Sequence, residues 1–325
     1  MTSNIREAWT SRMKGFGQRA VKEGGIVLAL ALLVIASAII NDRFLTVPNL
    51  LNILRQVAIV GILAIGQTFV ILTAGIDLSV GSILGMTVVL YAGFIEAYSL
   101  WIAIPLGLAA GMLIGLVNGS IVAFTRVPAF IVTLGMLSFA RGIAYIYSGG
   151  TPIMISSETY FYIGNGYILG VPIPAVILLI TLAIAALVLK YTPFGRSVYG
   201  IGSNATAAHL SGVPVAGYRI LVFVISGFLA ALSGLVYSSQ LSVGTPIAGV
   251  AYELDSIAAV VVGGTSLFGG KGSVVGTFVG ILIVGVLANI LNLSGVDPFV
   301  QQLFKGALIV VAVYIMTRSS EDQGA

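Results

Sequence analysis

Apolar residues run along this chain in long blocks and do not alternate with polar ones. Ten stretches approach the ~20 residues a helix needs to cross ~30 Å of hydrocarbon. They are 24–41, 57–74, 79–97, 100–124, 128–148, 171–189, 220–239, 252–265, 272–293 and 298–317. Residues 57–97 as one helix would extend about 61 Å at 1.5 Å per residue, twice a bilayer, so the chain must turn within them. The polar break TAGIDLSVGS, residues 73–82, is where that turn is expected. A second break, Tyr252-Glu253-Leu254-Asp255-Ser256, precedes a short apolar run that ends at Gly263-Gly264. The pattern predicts an all-α polytopic membrane protein of about ten transmembrane helices, some of them broken or re-entrant.

The basic residues orient these spans. With a cytoplasmic N-terminus, eleven fall inside: Arg6, Arg12, Lys14, Arg19, Lys22, Arg126, Lys190, Arg196, Arg219, Lys271 and Arg318. Arg43 and Arg55 fall outside, and Arg141 and Lys305 lie within spans. Short cytoplasmic loops carry the excess of Lys and Arg, so both termini are expected to be cytoplasmic. The expected organisation is an N-terminal segment 1–23, one transmembrane domain 24–317 with a long cytoplasmic loop 190–219, and a tail 318–325. Ala36-Ser37-Ala38 resembles a signal-peptidase site after the basic leader. The apolar run continues through Ile39 and Ile40, however, and an uncleaved first span is expected.

Composition agrees with burial in lipid. The 325 residues are 58% hydrophobic and 8% charged, with mean hydropathy +1.10. A soluble domain carries about 25% charged residues, so this chain cannot cover a water-facing surface. Glycines recur every four residues at Gly107, Gly111, Gly115 and Gly119, and again at Gly272, Gly276 and Gly280. Such small-residue stripes let helix backbones approach closely, within one subunit or between two. The net charge of +4 arises from residues flanking spans, and no basic cluster forms a nucleic-acid module.

Four classes of function fit such a chain: a transporter, a channel, an intramembrane enzyme and a passive scaffold. Enzyme chemistry finds little support. There is no cysteine, and the one histidine, His209, lies in a predicted cytoplasmic loop. This removes thiolate chemistry and weakens His-based metal sites, proton relays and a Ser/His dyad. Asp77 stands in AGID and Asp255 in ELDS, neither of them the GxGD of an intramembrane aspartyl protease. GTSLFGGKGS, residues 264–273, approaches a phosphate loop, but its first glycine is displaced and Gly272 follows the lysine where Ser or Thr is required. No catalytic or metal-ligating residue is assigned, and no cofactor is expected in this chain.

The two polar breaks are left as candidate solute-path elements, with Asp77, Ser79, Glu253 and Asp255 as the polar groups. Irregular backbone at membrane depth is tolerated only against protein or water, and broken segments in both halves often line a pathway. The competing reading makes these residues helix caps in headgroup-level loops. In the long loop, Ser203 or Asn204 can cap a short helix Ala205–Leu210, Gly212 can end it and Pro214 forbids its continuation. An isolated helix needs about 12–15 residues, so this one must rest on something, either the protein's own helix ends or a partner.

At this loop the sequence resembles a known family. TPFGRSVYGIGSNATAAHLSGV at 192–213 is similar to the cytoplasmic coupling loop of permease subunits of bacterial ABC sugar importers, particularly the ribose type. ILTAGIDLSVGS at 71–82 and GTPIAGVAYELDSIAAVVVGGTSLFGGKGSVVGT at 244–277 also resemble that family's signatures, and the likeness runs from about 44 to 316. The family usually carries an acidic residue after the loop asparagine, where this chain has Ala205 and Thr206. The resemblance implies a monosaccharide permease in the bacterial inner membrane with an alternating-access path. It also implies a second permease subunit, expected to be an identical copy, and a periplasmic sugar-binding protein. Two ATP-binding subunits, or one with tandem ATPase domains, would hold ATP and magnesium. Ser203, Asn204, Ala207, Ala208, His209, Leu210, Ser211 and Gly212 would meet the ATPase. An ATP-independent channel or facilitator for small neutral solutes is the alternative.

Overall fold

The computed structural model describes residues 24–321; the expected N-terminal segment 1–23 and residues 322–325 of the expected tail lie outside the described residues. Helices stand at all ten of the apolar stretches. They are α1 (Gly24–Ile40), α2 (Val47–Leu72), α3 (Val80–Ala97), α4 (Leu100–Phe124), α5 (Ala129–Ser148), α7 (Ile173–Tyr191), α10 (Val215–Leu241), α11 (Tyr252–Val262), α12 (Val274–Leu293) and α13 (Pro298–Glu321). Seven described helices, α2 to α5, α7, α10 and α12, are each long and apolar enough to cross a membrane. The eleven residues of α11 reach only about 16 Å, half a bilayer. The expected span 252–265 is therefore a half-length helix, because Gly263 and Gly264 end it, the latter at φ +84°.

Three further helices sit between these: α6 (Glu158–Asn165), α8 (Pro193–Ser203) and α9 (Ala205–Leu210). The all-α expectation holds apart from two tiny antiparallel ladders. β1 (Ile153–Met154) pairs with β4 (Val243–Gly244), and β2 (Tyr167–Ile168) pairs with β3 (Val171–Pro172).

At the centre lie α2, α3 and α10, largely buried, while α4, α5 and α7 turn most of their surface outward. Outward-facing apolar side chains such as Trp101, Ile146 and Phe139 suit a lipid surface. The first glycine stripe is what fastens α4 to the centre. A Cβ at Gly115 would run into the Phe223 carbonyl, one at Gly119 would meet Ile220, and one at Gly111 would meet Gly227 and Ala231, all on α10. The second stripe seats α12 on α11, with Gly276 against Gly263 and Gly280 against Ala259. Both stripes thus serve packing within one chain. We expect Gly115→Ile to lower the melting temperature of the detergent-solubilised protein, since overpacking costs about 1–3 kcal/mol. Gly135→Ala, where nothing lies within 4 Å of the added carbon, should leave it unchanged. Equal melting curves for the two variants would refute this account of the stripe.

The helix ends sort into two groups. At one end α6 packs on α10 through the Tyr160 hydroxyl, which shares a 2.7 Å hydrogen bond with Ser238. There Arg55 donates to the Tyr167 hydroxyl at 2.5 Å, and Asn41 Nδ2 donates to the Leu293 carbonyl at 3.2 Å. At the opposite end the α2–α3 turn, α8 and the 263–273 loop converge. Gly270 N donates to the Leu72 carbonyl at 3.0 Å, and the Tyr199 hydroxyl donates to the Gly272 carbonyl at 3.0 Å. Arg126, Lys190, Arg196, Arg219 and Lys271 all belong to the helix ends and loops of this second group.

Candidate functional site

The loop expected to hold one short helix holds two, and α10 begins at Val215, five residues ahead of the expected 220. Thr192 starts α8: its Oγ1 accepts from Gly195 N at 3.2 Å, and Pro193 supplies a preset φ in the first turn. Buried Val198 and Ile201 form its apolar face. Phe194 anchors it, its ring stacked on Tyr218 at 5.6 Å and tilted against Phe69 at 6.2 Å. Gly202 allows the last turn of α8 to touch backbone directly. A Cβ there would overlap the Leu72 carbonyl and would crowd Gly270 N.

Asn204, not Ser203, caps α9: its Oδ1 accepts from Ala207 N at 2.9 Å. Ser203 ends α8, its hydroxyl donating to the Tyr199 carbonyl at 3.0 Å. Gly212 takes φ +84°, so that Gly212 N reaches the His209 carbonyl and Val213 N reaches the Ala208 carbonyl. That pair of bonds is the Schellman ending, which glycine makes available without strain. No residue of α9 is buried. Asn204, Thr206, Ala207, His209, Leu210, Ser211 and Gly212 are exposed, Ala208 is half-buried, and Leu210 is 82% exposed. A six-residue helix that is fully capped and supported only by α8 and α10 presents a preformed apolar and polar ridge to whatever lies beyond.

The four expected path residues fall into three places. Asp77 lies in the α2–α3 break, after Ala74 has turned the chain at φ +61°. It is wholly buried; its Oδ1 accepts from Ser79 N at 3.0 Å and from Ser79 Oγ at 2.6 Å, and its Oδ2 accepts from Ser226 Oγ of α10 at 2.8 Å. Asn118 Nδ2 of α4 donates to Ser79 Oγ at 2.9 Å, and the Gln67 amide meets the Asp77 backbone N and O at 3.2 Å. The turn is thereby tied to α2, α4 and α10. Asp77 and Ser79 thus form a buried, hydrogen-bonded turn that ties helices together, and neither side chain caps α3.

Glu253 sits on α11, its carboxylate against Gly81 in the first turn of α3. Arg141 of α5 reaches the same turn, donating to the Gly81 carbonyl at 3.4 Å, to the Ala248 carbonyl at 2.7 Å and to the Pro246 carbonyl. Asp255 stands apart: it is paired with Lys305 of α13 at 2.7 Å, on the wall of a cavity of about 340 Å³. Lys305, Asn118 and Ser226 were not singled out by sequence. Lys305 alone left a signal, as an ammonium inside an apolar span, where a partner is expected.

A family described as branched-chain amino acid transport system / permease component matches residues 49–313. The chain is 47% identical over 291 residues to a ribose import permease protein of Haemophilus influenzae, covering 88% of this chain and 90% of the relative. It is 44% identical to a ribose import permease protein of Bacillus subtilis, over 91% of this chain and 93% of the relative. An L-arabinose ABC transporter permease protein of Azospirillum brasilense is 35% identical, over 93% of this chain and 90% of the relative. No solved structure matches. A match that spans α2 to α13, with relatives aligned nearly end to end, establishes that this multi-pass membrane protein belongs to the permease components of that transport family.

Proposed function

We propose that this chain is the permease subunit of an ATP-binding-cassette importer, carrying a monosaccharide of the ribose or arabinose kind across the bacterial inner membrane. The names of its relatives favour a sugar over the amino acids in the family description. The observation that carries the mechanism is α9, capped at both ends and exposed along the face that α8 and α10 leave uncovered. A docking ATPase subunit would close on Ala207, His209 and Leu210, and α8 would carry its movement to the α2–α3 break. ATP and magnesium then belong to the partner, which supplies the hydrolysis. The full assembly comprises a second permease copy, two ATP-binding subunits or one tandem subunit, and a periplasmic sugar-binding protein.

In this reading the α8–α9 end is cytoplasmic, ten spans place both termini inside, and Asp77, Ser79, Glu253 and Asp255 stand along the solute path. Single cysteines in this cysteine-free chain test the topology. Those at Ser3, Ser203 and Ser320 should resist an impermeant thiol reagent applied from the periplasm, and one at the exposed Thr159 should react. Labelling of the Ser203 variant from outside would overturn the orientation. For the function itself, proteoliposomes holding the whole complex should accumulate labelled ribose or arabinose only with ATP and the binding protein. Flux of either sugar without ATP would establish the channel alternative instead.

A further inference from the structure

Five helices meet at the end of the bundle opposite α9, and between them lies the cavity of about 340 Å³. Gln56 comes from α2, Gln240 from α10, Tyr252 and Asp255 from α11, and Gln301 and Lys305 from α13. Lys305 stays about one-third exposed while Asp255 is nearly buried. An ammonium left one-third exposed on a membrane helix is costly against lipid, so this opening faces water or a water-filled path. The aliphatic walls from Val57, Ile281 and Val284 give the cavity the mixed character of a small-molecule site.

Its chemistry selects the ligand. Asp255 and Lys305 already satisfy each other at 2.7 Å, so the cavity has no net charge to offer. What remains is a ring of neutral donors and acceptors, two amides from Gln56 and Gln240 and the phenol of Tyr252, together with spare lone pairs on the carboxylate. Tyr237 stands edge-on to the Tyr252 ring at 6.3 Å, making an aromatic corner against which the C–H face of a ring can lie. A zwitterionic amino acid would have to separate the ion pair; a polyhydroxylated neutral molecule would not.

We propose that this cavity is a monosaccharide subsite on the permease itself, at the mouth that receives solute from outside, with the Asp255–Lys305 pair as its polar wall. The inference rests on the import reading above and adds to it a defined place of contact. Leu241 also lines the cavity, is exposed and is not one of its polar groups, and the chain lacks cysteine, so Leu241→Cys gives a single reporter. In proteoliposomes of the whole complex without ATP, an impermeant methanethiosulfonate should label it from outside. Millimolar D-ribose or L-arabinose should slow that labelling at least threefold, and L-leucine should not. Failure of the reagent to reach Leu241→Cys, equal rates with and without the sugars, or protection by L-leucine would each overturn the subsite.

A second variant separates this inference from the one it rests on. Ala288 lines the cavity, and Ala288→Trp should fill it, lowering sugar uptake at least tenfold while the ATP-binding subunits still co-purify. A wild-type complex that imports neither sugar defeats the import reading. A wild-type complex that imports, beside a well-folded Ala288→Trp complex with undiminished uptake, defeats the subsite alone. Where Ala288→Trp does not fold, the labelling result decides.

Discussion

Ala207→Arg is expected to abolish sugar import while leaving the permease folded. Ala207 is exposed on α9, and the bond from its backbone N–H to the Asn204 cap does not depend on its side chain. Its melting temperature in detergent should match the parent. A close dry contact with an ATPase surface would instead have to bury a guanidinium without a partner, a loss of several kcal/mol. Every 1.4 kcal/mol of that loss is tenfold in affinity. The expected readings are an ATP-binding subunit that no longer co-purifies, or one whose hydrolysis no longer responds to the loaded binding protein. Full association together with full stimulated uptake would remove α9 from the coupling role.

The second large effect is on the fold. Asp77→Ala leaves Ser79 N, Ser79 Oγ and Ser226 Oγ without their shared acceptor in a wholly buried site. Each buried polar group left unsatisfied costs about 1–3 kcal/mol, and three of them approach the whole stability of many domains. We expect little folded protein to reach the membrane. Asp77→Asn keeps the shape and one acceptor oxygen, and the Ser226 hydroxyl can rotate to accept from the new amide. It should fold with a melting temperature several degrees lower. Matching expression and melting curves for Asp77→Ala and the parent would show that the tie between α3, α4 and α10 is dispensable.

The sequence exposes most of this architecture because its strongest signal is local. Each apolar block became a helix, and the Asn204 cap and Gly212 ending of α9 were readable because capping chemistry lies within a few residues. The amphipathic α8 was not readable. Gly195, Gly200 and Gly202 argue against a helix, and only contact with Leu72 and Gly270 explains why the last of them is glycine. The partners of Asp77 were hidden for a related reason: Ser226 lies 149 residues away, and no spacing rule links them. Asp255 and Glu253, two positions apart, look like one acidic pair in sequence. On a helix that spacing points them about 200° apart, so they serve different neighbours.

The contact of Gly202 with the Leu72 carbonyl and Gly270 N has a mechanical consequence. A joint made through side chains is compliant, because rotamers can yield and absorb a displacement before it spreads. Main chain pressed on main chain has no such slack, and close-packed interiors pass strain onward. Travel imposed on α8 is therefore expected to pass directly to the end of α2. The linkage behaves as a stiff rod where a longer residue would have made it a spring.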